Sequence, residues 1–381
     1  MLQKFLDTKP LYYDKIDYTR MPRVYESLKK HLNIPKIIHL VGTNGKGTTG
    51  RFLASALHSL GYLTGHYTSP HIIDFNERIW IDSKNVTDAE LEKAHKSLLT
   101  LLSEADADSL SYFEYTTFLA MVMFKDLDYI VMEAGLGGEH DATAVFDKIL
   151  TLVTPIDIDH EAFLGHSIKE IATTKLNAVQ NRAILANQVH AEVYDIAASL
   201  AVKNSLEIEK VETLLEQKDY QMIEKISKEL SLVSYLQENL KLSIAALKIL
   251  GLEYKVESFK DSRLFGRLTM FRENIILDVG HNTLAASSIY SALKGDKYIL
   301  IYNSYRDKNY SEILRILKPI VVSVEIIEIN DSRIEDINIL KKSIESLEIK
   351  HKIFKKIDSD KKYLLFGSFS VIEEFLKVYN D

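Results

Sequence analysis

The sequence contains no cysteine among its 381 residues. This absence excludes disulfide bonds, thiolate metal sites and thiol catalysis, and it is consistent with a cytosolic protein. The sequence also lacks an excess of positive charge, because its formal net charge is −7. A chain without a basic surplus cannot neutralise many nucleic-acid phosphates, so we expect no nucleic-acid partner.

Long hydrophobic runs are missing as well. The most apolar stretch, residues 113–124, is interrupted by Glu114 and is too short to cross a bilayer. Residues 1–10 lack the apolar core of a secretory signal peptide. With 46% hydrophobic and 27% charged residues, the composition is that of an ordinary globular protein. We therefore expect a soluble, cytoplasmic protein without membrane contact.

The length of the chain exceeds what one hydrophobic core usually holds, which predicts two domains. We place the boundary so that the domains comprise residues 1–262 and 263–381. Residues 256–263 are polar and without strong periodicity, which is typical of a linker.

One glycine-rich segment stands between an apolar, strand-like run and a helical pattern. It consists of Gly42, Thr43, Asn44, Gly45, Lys46, Gly47 and Thr48. Glycines allow backbone N–H groups to close around phosphate oxygens, and a helix N-terminus adds its positive dipole end. Lys46 can provide a charge for the β- and γ-phosphates, and Thr48 a hydroxyl for Mg²⁺. A glycine turn without a ligand is the alternative, but the spacing and the flanking elements favour a nucleotide site.

The part of the chain around this segment alternates between strand and helix patterns. Strands are predicted at residues 36–41, 129–133, 149–154 and 183–186, and helices at 47–59, 88–102, 115–125 and 167–180. Such alternation predicts an α/β fold with a parallel sheet covered by helices on both faces. Ligands of such sheets bind beyond the carboxyl ends of the strands. We therefore expect the glycine-rich segment and the segments after Glu133 and Thr154 to converge.

The second domain is predicted to be a smaller, Rossmann-like α/β unit. Its strands are expected at residues 274–278, 297–302, 321–329 and 362–366, and its helices at 282–293, 311–317 and 371–378. It has no glycine loop of its own, and we expect it to close over the nucleotide.

Four further residues are ambiguous when each is considered alone. Glu133 ends a predicted buried strand beside glycines and can reach a metal ion at the glycine loop. His160 is by itself more typical of a hydrogen-bonded structural histidine than of a ligand. Ser69 fits a turn or a helix cap, and Lys175 a solvated helix lysine.

Taken together, the motifs of the chain resemble those of one family. They occur in order at residues 42–48, 68–71, 75–79, 112–114, 133–138, 141–143, 159–160, 163–165, 266–268, 278–282, 307–308 and 367–368. The set is similar to the folylpolyglutamate synthase/dihydrofolate synthase family, a branch of the Mur ligase superfamily, and it covers residues 12–378. The resemblance implies a P-loop ATPase domain over residues 1–262 and a C-terminal ligase domain over 263–381.

The resemblance also implies an activity. Members of this family are ATP-dependent ligases that add L-glutamate to dihydropteroate, to reduced folates, or to both, through an acyl-phosphate intermediate. We expect both activities here. The alternatives left open are folylpolyglutamate synthase activity alone, or a related ligase that uses another carboxylate acceptor. We expect ATP and one or two Mg²⁺ ions as cofactors, and a monomer.

Residue roles follow from the resemblance at matching positions. ATP contacts are implied for Gly42, Thr43, Asn44, Gly45, Lys46, Gly47, Thr48, Arg267, Asp278 and His281. Metal ligation is implied for Thr48, Ser69, Glu133 and His160, and a catalytic role for Lys46, Glu133, His160 and Lys175. Lys175 stands where the family has a carbamylated lysine. The pterin side is matched by Ile16, Asp17, Tyr18, Thr19, Ser111, Tyr112, Phe113, Glu114, His140, Asp141 and Ala142.

The chain departs from the family pattern in a few places. Glu139 and Ala144 stand where the family usually has Arg and Asn, and the sequence around Lys175 is Thr-Lys-Leu-Asn. The adenine-side motif is blurred within residues 236–247, so no residue is assigned there.

Three other interpretations are weaker. A switch-type GTPase would need an Asn-Lys-x-Asp motif, which this sequence does not contain. A peptidoglycan Mur ligase carries a substrate domain before its glycine loop, whereas 41 residues precede Gly42 here. A catalytically inactive scaffold would not need Lys46, Glu133, His160 and Arg267.

Overall fold

The computed structural model describes residues 1–10 and 17–380. The chain forms two compact units. The first comprises Met1–Leu232 and Leu236–Ser262, and the second Val233–Tyr235 and Arg263–Asp381. The short segment Val233–Tyr235 was not expected to belong with the C-terminal part of the chain.

The first unit is built on an eight-stranded sheet. Its strands are β1 Lys36–Val41, β2 Thr64–Tyr67, β3 Ile79–Ile81, β4 Lys84–Asn85, β5 Tyr129–Glu133, β6 Leu150–Val153, β7 Arg182–Leu185 and β8 Glu207–Lys210. The spatial order is β4-β3-β2-β5-β1-β6-β7-β8. Six of these strands run parallel, while β3 and β4 add an antiparallel edge.

Helices surround this sheet. They are α1 Leu2–Leu6, α2 Arg20–Leu28, α3 Lys46–Ser59, α4 Asp88–Leu101, α5 Glu104–Ser109, α6 Tyr112–Phe124, α7 Glu161–Leu164, α8 Ile168–Leu176, α9 Glu192–Asn204, α10 Val211–Leu214, α11 Gln217–Glu229 and α12 Ser234–Ile249. Several begin at reciprocal caps, in which a hydroxyl and a glutamate three residues later satisfy free N–H groups. Ser111 with Glu114 caps α6, and Ser167 with Glu170 caps α8.

The central strands are buried on both faces. In β1 every residue after Lys36 is buried, as expected for a strand covered by helices on both sides. One core cluster contains Phe118 and Phe146, and a second contains Ile171 and Leu185. The predicted α/β fold with a parallel sheet and flanking helices is confirmed.

The register of the central strands aligns their carboxyl ends. Leu40 of β1 lies beside Glu133 of β5 and beside Leu152 of β6. The loops that follow these three strands therefore leave the sheet at the same edge. This arrangement positions the candidate site.

The second unit contains a six-stranded sheet. Its strands are β9 Thr269–Arg272, β10 Ile275–Leu277, β11 Tyr298–Tyr302, β12 Val321–Ile326, β13 Lys350–Ile353 and β14 Tyr363–Phe366, in the order β13-β12-β11-β14-β10-β9. Only β9 is antiparallel to its neighbour among the described strands of this sheet. Its helices are α13 Thr283–Leu293, α14 Tyr310–Leu317, α15 Ile337–Ser346 and α16 Phe369–Asn380.

The expected linker at residues 256–263 includes a packed turn at its start. Val256–Phe259 forms a 3-10 turn, and the Phe259 side chain is fully buried. Its ring meets that of Phe52 on α3 edge to face, with centroids 6.4 Å apart. The polar composition concealed this aromatic anchor, which packs the start of the expected linker onto the first unit.

No described helix has both the length and the apolar character that a membrane crossing requires.

The buried position of Phe259 can be tested by truncation. Phe259→Ala should destabilise the first unit by about 3–5 kcal/mol, because it leaves a cavity against α3. Urea unfolding followed by the fluorescence of Trp80, the single tryptophan, reports on this unit. The control Val202→Ala removes an 85% exposed side chain and should change stability by less than about 0.5 kcal/mol. Equal effects of the two substitutions would contradict the packed arrangement.

Candidate active site

The glycine-rich loop lies between β1 and α3 and is fixed from the loop after β6. The backbone N–H groups of Thr43 and Asn44 donate to the Pro155 carbonyl oxygen at 2.9 and 3.3 Å. The Thr43 hydroxyl donates to the Asp157 carbonyl and accepts from the Asp157 N–H, each at 3.0 Å. Two segments far apart in sequence therefore set the shape of the loop.

A charge pair lies at this loop, with Glu133 buried and Lys46 partly exposed. Lys46 Nζ is 3.8 Å from Glu133 Oε1 and also donates to the carbonyl oxygens of Gly42 and Thr43 at 3.2 and 3.3 Å. The second oxygen of the Glu133 carboxylate accepts from the Thr68 hydroxyl and, at 3.4 Å, from the Ser69 N–H. The structure thus brings Lys46, Glu133 and the Ser69 backbone together.

Thr48 occupies the first turn of α3 and is 3% exposed. Its Oγ1 is buried and has no hydrogen-bond partner in the described structure. Leaving a buried hydroxyl unsatisfied costs about 1–3 kcal/mol. A polar ligand at the start of α3 would satisfy this oxygen.

The residues fit a phosphate-bound magnesium ion better than a metal held by side chains alone. Within residues 1–10 and 17–380, no group of three or more His, Asp or Glu side chains is arranged to hold a metal. Mg²⁺ in phosphate sites uses one or two protein oxygens, waters and the phosphates themselves. The free Thr48 hydroxyl and the Glu133 carboxylate match that donor set.

A small cleft joins the glycine loop to the segments after β5 and β6. It is lined by Gly42, Thr43, Lys46, Ala134, Gly135, Leu136, Gly137, Asp159, His160 and Lys175. His160 has a left-handed backbone (φ 55°) and a 40% exposed side chain, with Nε2 4.0 Å from Asp159 Oδ2. The imidazole therefore remains accessible to a ligand in the cleft.

Lys175 is buried, contrary to the default expectation of a solvated helix lysine. Its Nζ donates to the Gly42 carbonyl oxygen at 3.0 Å. Burial, and secondarily the nearby charge of Lys46, lowers the pKa of the Lys175 amine to about 7. A large fraction of this amine is therefore neutral, and hence nucleophilic, near neutral pH.

The residues matched to the pterin side fall into two groups. In the first group, aromatic rings contact one another or a neighbouring group, and one of them lies against a glycine of the cleft. The exposed rings of Tyr18 and His140 have centroids 4.2 Å apart. The Phe113 ring lies so close to Gly135 that a Cβ there would overlap it. Tyr112 lies under the Arg78 guanidinium at 5.3 Å from the ring centre.

In the second group, the polar atoms are engaged in local structure. Asp17 accepts from Thr19, and Ser111 and Glu114 cap α6. Glu114 also receives two guanidinium N–H groups of Arg20, at 3.0 and 3.1 Å. Asp141 is braced against its own loop, and Ala142 is buried. Ile16 lies outside the described residues.

The second unit holds its three matched residues in one loop cluster. Asp278 is buried and accepts from the N–H groups of Leu268 and Gly280 at 2.9 and 2.8 Å, and from the Tyr235 hydroxyl at 3.0 Å. Burial raises the pKa of Asp278, and the charge of Arg267 opposes that rise. The His281 Nδ1 lies 3.2 Å from the Val279 carbonyl oxygen.

Within the two units, three residues that contact predicted site residues were missed by sequence reasoning. Asn239 of α12 packs against Gly45 in the glycine loop, within the stretch where the family motif was blurred. Thr68 holds Glu133, and Tyr235 holds Asp278. Thr68 precedes the noted Ser69, so its neighbour was the available signal, whereas Tyr235 offers no sequence signal.

The fold and this cleft define a two-unit α/β protein whose larger unit carries a phosphate-binding loop. No family model matches the chain. The chain is 31% identical over 337 residues to the dihydrofolate synthase/folylpolyglutamate synthase of Haemophilus influenzae, which covers 79% of this chain and 76% of that protein.

Solved structures give the same result. The folylpolyglutamate synthetase of Helicobacter pylori matches with a TM-score of 0.82 and 35% identity, over 100% of this chain and 98% of that chain. A Yersinia pestis bifunctional folylpolyglutamate synthase/dihydrofolate synthase complexed with AMPPNP and a Mn ion shares the fold, with a TM-score of 0.82 and 21% identity over 100% and 97% of the two chains. The chain belongs to the dihydrofolate synthase/folylpolyglutamate synthase family, and the predicted family of enzymes is confirmed.

The close approach of Asn239 to the glycine loop predicts that alanine substitutions at Gly45 and Gly61 will reduce stability by different amounts. Gly45 and Gly61 share a φ of +91°, but a Cβ at Gly45 would overlap Asn239, whereas a Cβ at Gly61 meets no atom within 4 Å. Both Gly→Ala variants should lose about 1–2 kcal/mol through backbone strain. Gly45→Ala should lose at least about 1 kcal/mol more, because Asn239 must move. Equal urea midpoints of the two variants would show that the loop does not pack this way.

Proposed function

We propose that this chain is an ATP-dependent ligase that joins L-glutamate to dihydropteroate and to reduced folates. The observation that supports this most strongly is the cluster at the start of α3, where Lys46 pairs with Glu133 and the Thr48 hydroxyl is left free. The family membership provides the acceptor class, because relatives are named for both synthase activities.

The chemistry explains why such a cluster is needed. A carboxylate is a poor acyl donor, because its oxygen does not leave. Transfer of the γ-phosphoryl group of ATP to the acceptor's carboxylate oxygen gives an acyl phosphate. The L-glutamate amine then attacks the carbonyl carbon, the C–N bond forms, the C–O bond to phosphate breaks, and the amine loses a proton. Both steps gather negative charge on oxygen, so positioned positive charge should dominate catalysis.

The chain's own residues can provide that environment. Lys46 reaches the phosphates from the start of α3, and the backbone N–H groups of the glycine loop donate to phosphate oxygens. Mg²⁺ would be held by Thr48, Ser69, Glu133 and His160, and when bound it supplies positive charge against the phosphate oxygens. Arg267, Asp278 and His281 are assigned to the nucleotide on the resemblance alone.

Lys175 is proposed to be carbamylated. Its neutral amine can attack CO₂, forming an N–C bond and releasing a proton, which turns a buried amine into a carboxylate. Among the charges near this amine, that of Lys46 would stabilise the negative carbamate, whereas those of Asp159 and Asp141 act in the opposite sense. We place the reaction in the cytoplasm and expect a monomer, as inferred from the sequence.

The ligase activity is tested by ADP release from purified protein with ATP, Mg²⁺ and L-glutamate. Dihydropteroate and tetrahydrofolate are added in separate reactions, and each should stimulate release. Stimulation by tetrahydrofolate alone would restrict the chain to folylpolyglutamate synthesis. No stimulation by either compound would contradict the proposed function.

The same assay tests the Thr48 assignment through a matched pair of variants. Thr48→Val removes the hydroxyl while keeping the side-chain shape, and it should lower the turnover number by about 100-fold. Thr48→Ser keeps the hydroxyl and should retain most of the activity.

Carbamylation of Lys175 predicts a dependence on CO₂. With ¹³C-bicarbonate at pH 8, where an amine of pKa about 7 is mostly neutral, the protein should show a carbamate ¹³C resonance, and Lys175→Met should lack it. At pH 6 the amine is mostly protonated, so the resonance should be weaker. Lys175→Glu should retain more activity than Lys175→Met, because it restores a carboxylate. A wild-type protein without the resonance at pH 8 would contradict the modification.

A further inference from the structure

A buried chain of polar groups connects β1 to the loop after β5. His39 Nε2 lies 2.7 Å from Thr143 Oγ1, and the Thr143 hydroxyl donates to Asp141 Oδ1 at 2.5 Å. His39 and Thr143 are completely buried, and Asp141 is 7% exposed. Asp141 is matched to the pterin side, but none of the contacts proposed for ATP, metal or acceptor involves His39 or Thr143, so substrate binding does not explain these two residues.

The hydrogen bonds in this chain of side chains all run in one direction, from His39 through Thr143 to Asp141. Asp141 accepts backbone N–H groups at both oxygens, from Thr143 and from Leu136, so its carboxylate acts as an acceptor. The Thr143 hydroxyl therefore donates its proton to Asp141 and must accept from His39. The hydrogen of a neutral His39 is thus on Nε2, which leaves Nδ1 bare. Burial and the nearby charge of Lys148 lower the pKa of His39 well below its usual value, which keeps the ring neutral.

The two ends of this hydrogen-bond chain lie near two segments that line the cleft. His39 lies on β1, three residues before Gly42 of the glycine loop. At the other end, Asp141 Oδ2 holds the Leu136 N–H at 2.8 Å. Gly42 and Leu136 both line the cleft, together with Lys46 and His160.

The histidine is retained at a cost in stability. Its buried Nδ1 has no hydrogen-bond partner among the described residues, and a buried unsatisfied polar atom costs about 1–3 kcal/mol. An apolar side chain of similar size would fill the space without that cost. What it would lack is a directional hydrogen bond, which is the property that sets the position of a loop.

We propose that His39 and Thr143 are positioning residues of the ligase reaction, which hold the wall formed by residues 135–137 in register with the glycine loop. This inference rests on the proposed function. A wall displaced by about 1 Å would misplace the reacting groups, and such displacements can cost about 100-fold in rate.

The first test compares His39→Leu with His39→Gln. Gln places its amide nitrogen four bonds from Cα, as His places Nε2, so it restores the donor to Thr143. His39→Leu should lower the turnover number of pterin-stimulated ADP release by about 10- to 100-fold. His39→Gln should recover most of this loss. The KM for ATP and the Kd for ADP with Mg²⁺ should change little in either variant. The unfolding midpoint of His39→Leu should not fall, because this variant removes the unsatisfied Nδ1.

The second test uses the partner residue, so that the inference does not depend on one variant folding. Thr143→Val breaks the chain with a side chain of the same shape, and Thr143→Ser keeps it. The double variant His39→Leu/Thr143→Val should be no slower than the worse single variant, because both changes break one chain. If the activity losses of the two single variants multiply in the double variant, the two residues do not act through one hydrogen-bond chain, and the inference would be contradicted.

The outcomes separate this inference from the proposed function. A wild-type protein without pterin-stimulated ADP release would overturn the proposed function, and the inference with it. An active wild type with undiminished turnover in Thr143→Val or in a folded His39→Leu would overturn the inference alone. Equal losses in the Leu and Gln variants of His39 would show that the residue acts through packing and not through its donor, which would also overturn it.

Discussion

The parallel pairing of β1 with β5 and β6 is the constraint on which the site depends. Because Leu40 lies beside both Glu133 and Leu152, the loops after three strands emerge together at one edge of the sheet. The glycine loop, the Glu133 carboxylate and the segment with His160 become neighbours only through this register. A shift of one residue would turn the strand's side chains to the opposite face.

Several charged and polar groups at this edge are held at a cost in stability. A partly exposed lysine faces a buried glutamate, a threonine hydroxyl has no partner in the described structure, and the buried amine of Lys175 donates to the Gly42 carbonyl oxygen. Such arrangements reduce stability and are typical of sites that a ligand completes. The hydrogen-bond chain through His39 belongs to the same pattern, because its unpaired Nδ1 also reduces stability.

The sequence predicted the parts of the fold that depend on local pattern. Strands β1 and β5 begin and end where their apolar runs do, and α3 begins one residue before its predicted start. The glycine loop was readable because its chemistry is contained in consecutive residues.

Features that depend on tertiary contacts could not be predicted in this way. Asn239 and Gly45 are far apart in sequence, and so are Tyr235 and Asp278. Only the fold shows that they touch. The burial of Lys175 and Phe259 was missed because a charged helix residue and a polar segment are exposed by default. For Asp141 and Glu114, the structure adds local hydrogen bonds that the resemblance did not indicate.

The most direct test of the central claim is where a metal ion binds. A crystal of the protein grown with Mn²⁺ and a non-hydrolysable ATP analogue would locate the metal by its anomalous signal. We expect Mn²⁺ bonded to the Thr48 hydroxyl at about 2.2 Å and within about 5 Å of the Glu133 carboxylate, beside the nucleotide phosphates. Mn²⁺ and nucleotide bound away from both residues would contradict the account.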